Sequence, residues 1–142
     1  MNTNIQEIKN LSIGFKSQKG EQISILRNIT TNVRKGETVG IVGESGSGKS
    51  TLALAMMGYI KQGLFTTGGE CFFKSLDLLK LNNKELVEIR GRKIAMIPQN
   101  AGQALTPNLK IGYQIEEALK LHTDFYKVER EQKISELLNQ VR

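Results

Sequence analysis

The chain has 142 residues, enough for one small domain, with 39% hydrophobic residues and a formal net charge of +6. The positive charge is spread evenly along the chain without a basic block or arm, so we expect no nucleic-acid partner. The single cysteine excludes an internal disulfide. The longest apolar run is too short to span a bilayer, and the first residues lack the pattern of a signal segment, so we expect a cytoplasmic protein.

Two strands are predicted at the start of the chain. Residues 5–15 alternate loosely between apolar and polar side chains, and residues 23–33 are rich in β-branched side chains. The polar segment between them predicts a turn, and Gly36 marks a tight turn after the second strand. We therefore expect a small antiparallel sheet in this part of the chain.

A glycine-rich segment, GIVGESGSGKST, occupies residues 40–51. Residues 43–50 fit the template G-x-x-x-x-G-K-[ST] of a phosphate-binding loop. The apolar run 38–42 before the loop predicts a strand buried on both faces, and residues 52–57 after it are good helix formers, with Gly58 in position to end the helix. Strand, glycine loop and helix together are the setting that such a loop requires.

The chemistry of this segment indicates a nucleoside triphosphate as ligand. Glycine has no Cβ and tolerates positive φ, so backbone N–H groups can turn inward around an anion at the start of a helix, where the dipole favours negative charge. Lys49 would add a positive charge for the β- and γ-phosphates, and Ser50 would ligate Mg²⁺ through its hydroxyl. The alternative is a chance flexible loop, which should arise in about one chain in 200 of this length at average residue usage.

Two further short strands flank a helix in the middle of the chain. Residues 70–74 and 93–97 are the predicted strands, and the second ends at a proline. We expect Cys71 to be half-buried in the first of them. Between the strands, Asn82 and Glu85 form a capping-box pattern for a helix that stops at a glycine.

Two amphipathic helices are predicted in the last third of the chain. A polar loop is predicted over residues 99–109. After it, apolar side chains recur with helical spacing over residues 111–119 and again over residues 134–141. We expect the two helices to pack on each other, with both apolar stripes in the core. His122 follows the first stripe, and we expect this side chain to be exposed.

Three segments give the chain a family resemblance: IKNLSIGF, GESGSGKST and KIAMIPQNAGQALTPNLKIGYQIEEAL. Together they resemble the nucleotide-binding subunit of an ABC transporter and, among those subunits, the importers of peptides and nickel. The resemblance implies an α/β fold with a P-loop NTPase (RecA-like) core, an N-terminal antiparallel β subdomain and the start of an α-helical subdomain. It divides the chain into the β part at residues 1–36, the core up to a glutamine loop at 37–100, and the helical part at 101–142.

The resemblance assigns roles to two residues outside the loop. Phe15 matches the aromatic residue that stacks on adenine, and the alternative is a plain core aromatic at a strand end. Gln99 matches the glutamine that reaches Mg²⁺ and the attacking water, and the alternative is a surface residue of a polar loop. The family usually has an aromatic residue before this glutamine and Asp-Pro after it, whereas here Pro98 precedes it and Asn100 and Ala101 follow.

The candidate site combines the loop with these two residues. Lys49 and Gln99 are the catalytic candidates, and Ser50 and Gln99 are the candidates for holding Mg²⁺. The residues expected to bind ATP are Phe15, Gly43, Glu44, Ser45, Gly46, Ser47, Gly48, Lys49, Ser50 and Thr51.

The resemblance also implies a function and a set of partners. The protein is expected to be an ATP-binding subunit that energises membrane import of a small solute, namely an oligopeptide, a dipeptide or nickel. Its expected partners are a second nucleotide-binding subunit, transmembrane permease subunits and, indirectly, an extracytoplasmic solute-binding protein. Such a subunit lies on the inner face of the cell membrane as a peripheral protein.

Three motifs of the family do not occur in the sequence: the LSGGQ-like signature, an apolar run followed by Asp-Glu, and the switch histidine. We therefore expect a truncated front portion of a longer subunit, able to cradle phosphates but without a carboxylate to orient the attacking water. The apolar strand before the loop would then lack its parallel neighbours and expose its apolar face. Another P-loop enzyme, such as a small-molecule kinase or a DNA-repair ATPase, is the remaining alternative.

Overall fold

The computed structural model describes residues 4–141, which form two compact units with the boundary in the chain between Leu86 and Val87. The elements, in chain order, are β1 (Asn4–Lys16), β2 (Gln22–Arg34), α1 (Lys49–Ala55), β3 (Leu64–Phe73), β4 (Leu76–Asp77), α2 (Asn83–Ile89), α3 (Ala101–Ala104), α4 (Ile111–His122) and α5 (Lys127–Gln140). No helix in this part of the chain is both long and apolar enough to cross a membrane. The three-part division of the chain given above stays a prediction.

The first unit is built on one antiparallel sheet with the strand order β2-β1-β3-β4. The two strands predicted at the start of the chain are confirmed as β1 and β2. Three side chains of β1, Ile8, Leu11 and Ile13, are fully buried, and Leu52 and Ala55 of α1 are buried in the same unit. The core of this unit therefore involves both the central strand and the helix that follows the glycine loop.

The third strand is longer than the sequence predicts. β3 starts at Leu64, which pairs with Phe15 of β1, whereas the predicted strand starts only at residue 70. The glycines before residue 70 do not end the strand, because Gly69, with a φ of 89°, lies where the register between β1 and β3 shifts. Such a bulge absorbs the glycines and lets the ladder continue on both sides of them.

Two predicted buried strands are wrong. Residues 38–42 have no strand conformation, and in 93–97 the only pairing is an isolated bridge between Arg90 and Ile94. Val42 and Ile97 are each 95% exposed. A strand depends on hydrogen bonds to a neighbour, and neither segment is part of the sheet formed within residues 4–141. The apolar side chains of residues 38–42 are exposed, as expected, but they do not form the face of a strand.

The two helices predicted before residue 91 are confirmed. α1 begins three residues before the predicted run 52–57, directly after the glycine loop. At the start of α2, Asn82 Oδ1 accepts hydrogen bonds from the N–H groups of Lys84 and Glu85, and Glu85 Oε2 accepts one from Asn82 N–H at 2.8 Å. This reciprocal pair is the predicted capping box.

The second unit contains an antiparallel pair of helices, α4 and α5, that the sequence predicts correctly. Glu116 of α4 lies 3.3 Å from Arg130 of α5 and 3.0 Å from Lys120. The prediction that both apolar stripes are core is wrong, since no side chain of either helix is buried. Each helix covers only one side of the other, which leaves apolar side chains such as Tyr113 and Leu121 more than half exposed.

Two smaller features of the second unit also differ from the prediction. His122 is half-buried rather than exposed, because its ring lies directly against Gly91 at the turn after α2. The short helix α3 lies in the segment predicted as a polar loop, and Asn100 Oδ1 caps it by accepting a hydrogen bond from Gly102 N–H.

Candidate nucleotide-binding site

The glycine loop runs over residues 43–48 and is held against the edge strand β2 where it enters α1. Gly48, the residue before α1, has a φ of 91°. A Cβ at this position would lie 2.8 Å from Leu26 Cδ2 and 3.3 Å from the Ile25 carbonyl oxygen. Two features therefore require a glycine at position 48: its left-handed backbone conformation and the close approach of β2.

The ammonium of Lys49 lies across the loop. Lys49 Nζ donates hydrogen bonds to the carbonyl oxygens of Gly43 at 2.7 Å and Glu44 at 2.5 Å, and to Ser47 Oγ at 3.3 Å. The loop is narrow here, since a Cβ on Gly43 would come within 2.8 Å of Ser47 Oγ. The backbone thus places a positive charge in the first turn of a helix, where an anion is favoured.

The first turn of α1 supplies donors for such an anion. Leu52 N–H donates to the carbonyl of Gly48, the residue before α1, so the N–H groups of residues 49–51 precede this bond and have no partner within the helix. Ser50 is exposed in this turn and Thr51 is half-buried. These groups fit a chain of phosphates, and one Ser50 hydroxyl fits Mg²⁺ because this ion is usually held by one or two protein ligands together with substrate phosphates.

Phe15 lies on the same strand pair that supports the loop. At the end of β1 it pairs with Ile23 of β2, and Ile25, two residues further along β2, contacts Gly48. Two residues along a strand correspond to about 7 Å. The structure therefore brings Phe15 and the loop to neighbouring positions on β2, and the ring is half-buried rather than part of the closed core.

Gln99 belongs to the second unit and is exposed there, two residues before the short helix α3. The loop and Phe15 belong to the first unit. The contact of Gln99 with Mg²⁺ and water therefore stays a prediction, as do the roles of the other candidate residues.

Sequence reasoning missed the residues that hold the far end of α1. Gln6 of β1 is buried, and its Nε2 donates to the Met56 carbonyl oxygen at 2.9 Å and to Cys71 Sγ at 3.3 Å. The signal was present, because Gln6 lies two residues from Ile8, and residues two apart in a strand share a face. Cys71, predicted to be half-buried, is fully buried, and this burial raises the pKa of its thiol to about 11.

The sequence profile of the ABC transporter family matches residues 26–142. The oligopeptide transport ATP-binding protein OppD of Bacillus subtilis strain 168 is 40% identical over 98% of the chain, which covers 39% of that protein. The dipeptide transport ATP-binding protein DppD of Lactococcus lactis subsp. cremoris strain MG1363 is 38% identical over 96% of the chain, which covers 39% of that protein. The chain spans about two fifths of the length of these relatives.

The chain is also similar, over nearly its whole length, to a solved structure. It is a dimeric post-hydrolysis state of the ATP-binding cassette MJ0796 bound to ADP and Pi. The two proteins are 30% identical, with a TM-score of 0.79, and the match covers 94% of the chain and 56% of MJ0796.

Proposed function

The chain belongs to the ABC transporter family and has the ABC ATPase fold, and on this premise we propose that it binds ATP in a subunit that energises membrane import of a small solute. Relatives named for oligopeptide and dipeptide transport favour a peptide over nickel as the solute. The ligand of the loop is ATP together with Mg²⁺.

One observation carries the nucleotide part of this proposal. The Lys49 ammonium is held over the glycine loop by the Gly43 carbonyl oxygen at 2.7 Å, at the positive end of α1. Hydrogen bonds between charged partners are about twice as strong as neutral ones, so the charged oxygens of a triphosphate compete well for this ammonium. The loop N–H groups and the first turn of α1 then hold the same phosphates.

The remaining candidate residues take the roles that the family pattern assigns to them. Ser50 holds Mg²⁺ with its hydroxyl, Phe15 stacks on the adenine, and Gln99 reaches the metal ion and the attacking water. When bound, Mg²⁺ neutralises charge on the β- and γ-phosphates. Phe15 and Ser50 are supported by their positions in one unit, beside β2 and in the first turn of α1.

The partners follow from the same proposal. A second nucleotide-binding subunit pairs with this one. Transmembrane permease subunits use the energy of ATP to move the solute, and an extracytoplasmic solute-binding protein delivers the solute to them. The dimeric state of MJ0796 supports the pairing. The subunit is peripheral on the inner face of the cell membrane.

We propose further that these 142 residues bind MgATP without turning it over. Phosphoryl transfer to water needs an oriented nucleophile as well as positioned positive charge. The sequence contains no apolar run followed by Asp-Glu, the pair that polarises this water in the family. The glycine loop alone supplies binding but not this step.

Two measurements on the purified chain test the proposal. A fluorescent ATP analogue is titrated with and without Mg²⁺, and phosphate release from ATP is followed in parallel, with Lys49→Ala as the blank. We expect saturable, Mg²⁺-dependent binding and phosphate release at the rate of the blank. A folded chain that does not bind the analogue contradicts the binding function, and turnover well above the blank contradicts the non-catalytic assignment.

A further inference from the structure

The C-terminal end of α1 is closed by a glycine turn that does not satisfy the Met56 carbonyl. Gly58 has a φ of 69°, its N–H donates to the Ala55 carbonyl at 2.8 Å, and Tyr59 N–H donates to the Leu54 carbonyl at 3.0 Å. This pair of bonds is the Schellman motif, which satisfies the carbonyls of Leu54 and Ala55. The Met56 carbonyl lies outside the pattern and takes its hydrogen bond from another element.

That hydrogen bond comes from Gln6 in the centre of the sheet. Gln6 Nε2 lies 2.9 Å from the Met56 carbonyl oxygen and 3.3 Å from Cys71 Sγ on β3. Cys71 Sγ in turn lies 3.4 Å from the Ala55 carbonyl oxygen. The raised pKa of Cys71 keeps its thiol protonated, so that the S–H can donate to this carbonyl.

Gln6 is 7% exposed and is the one buried polar residue among those whose side chains the structure describes. A buried amide is costly unless its groups are hydrogen-bonded, so its presence on the apolar face of β1 calls for a specific partner. The Met56 carbonyl is that partner. An apolar side chain of the same size would fill the space equally well but would leave this carbonyl unpaired.

We propose that Gln6 is a positioning residue for the nucleotide site. Through the Met56 carbonyl and Cys71 Sγ it fixes the C-terminal end of α1 to β1 and β3, and so orients Lys49 and the glycine loop at the other end. α1 has only seven residues, so its two ends lie about 10 Å apart and move together. The inference rests on the proposed function of the loop.

The first test follows α1 without any nucleotide. Gln6→Met removes the donor and keeps the length of the side chain, and Gln18→Met makes the same change at an exposed glutamine in the turn after β1. Amide hydrogen exchange is measured at a temperature where all variants are folded. We expect exchange at the amides of Leu52 in α1 and of Met56 directly after it to be about tenfold faster in Gln6→Met, with β1 amides unchanged and Gln18→Met like wild type. Wild-type exchange in α1, or equal acceleration at all amides, overturns the proposal.

The second test measures the dissociation constant for MgATP in the same variants. We expect it to rise about tenfold in Gln6→Met and to stay unchanged in Gln18→Met. Cys71→Ala should have a smaller effect in both tests, because the Ala55 carbonyl keeps its bond from Gly58. If Gln6→Met does not fold, wild-type exchange and wild-type affinity in Cys71→Ala overturn the proposal. Wild-type affinity in Gln6→Met overturns the positioning role. A wild-type chain that binds no MgATP contradicts the proposed function instead, and the exchange data still decide whether Gln6 fixes α1.

Discussion

Lys49 Nζ lies 2.7 Å from the carbonyl oxygen of Gly43, the residue at the other end of the glycine loop. The side chain therefore bridges the two ends of the segment that is proposed to wrap the phosphates. Its oxygen partners, the carbonyls of Gly43 and Glu44 and the Ser47 hydroxyl, carry no net charge. The loop thus holds the ammonium group through uncharged oxygens, which the charged oxygens of a phosphate can replace as stronger acceptors.

Replacing Gly48, the glycine before α1, is predicted to lower the stability of the fold. Gly48→Ala places a Cβ 2.8 Å from Leu26 Cδ2 in a left-handed conformation, and should lower the free energy of unfolding by about 2–4 kcal/mol through strain and overpacking. Gly46→Ala is the matched control, since Gly46 has a φ of 80° but no neighbouring atom within 4 Å of such a Cβ. It should cost only about 1–2 kcal/mol. Urea unfolding measures both, and equal losses would show that contact with β2 is unimportant.

Phe15 is predicted to bind the adenine by stacking of its aromatic ring, and not merely by supplying apolar volume. Phe15→Ala should raise the dissociation constant for MgATP about tenfold or more, the usual effect of losing one base–aromatic stack. Phe15→Leu keeps apolar volume at the end of β1 but has no aromatic face, and Phe15→Tyr keeps the ring. Stacking predicts that Leu behaves like Ala and that Tyr behaves like wild type. Wild-type affinity in Phe15→Leu would identify the residue as a packing residue only.

The α4–α5 pair is predicted to lose stability in acid through Glu116. Its hydrogen bond to Lys120, with a contribution from Arg130, lowers the pKa of this carboxyl below its ordinary value of 4.5. The unfolded chain therefore binds this proton more readily, so the stabilisation is complete above about pH 4.5 and is lost as the pH falls through the lower, folded-state pKa. Helical circular dichroism during thermal unfolding at pH 3 to 6 measures it. Glu116→Gln should flatten this dependence, Glu117→Gln should not, and the same slope in all three proteins would exclude the assignment.

The elements that local chemistry determines were predictable from the sequence. Alternation along β1, the Asn82–Glu85 capping box and the glycine template of the loop are all confirmed as local structure. Each of these signals involves residues close together in the chain, and the hydrogen bonds that they need are local or lie within one hairpin.

The features that depend on distant partners were not predictable in this way. Residues 38–42 are apolar enough for a buried strand, yet Val42 is 95% exposed because a strand also requires a neighbour. The bond from Gln6 to the Met56 carbonyl joins residues fifty positions apart, so the sequence showed only a polar residue on an apolar face. The roles of Phe15 and Gln99 came from a family pattern, and residue spacing alone does not establish them.

The most direct test of the nucleotide site is calorimetric titration of MgATP into the wild-type chain, Lys49→Ala and Lys35→Ala. Lys35 is an exposed lysine in the turn after β2, so Lys35→Ala removes the same charge away from the loop. We predict one site in the wild type and in Lys35→Ala, and an affinity about 100-fold lower in Lys49→Ala, because charge-assisted hydrogen bonds to the phosphates are lost. Equal affinity in all three folded proteins would contradict the account.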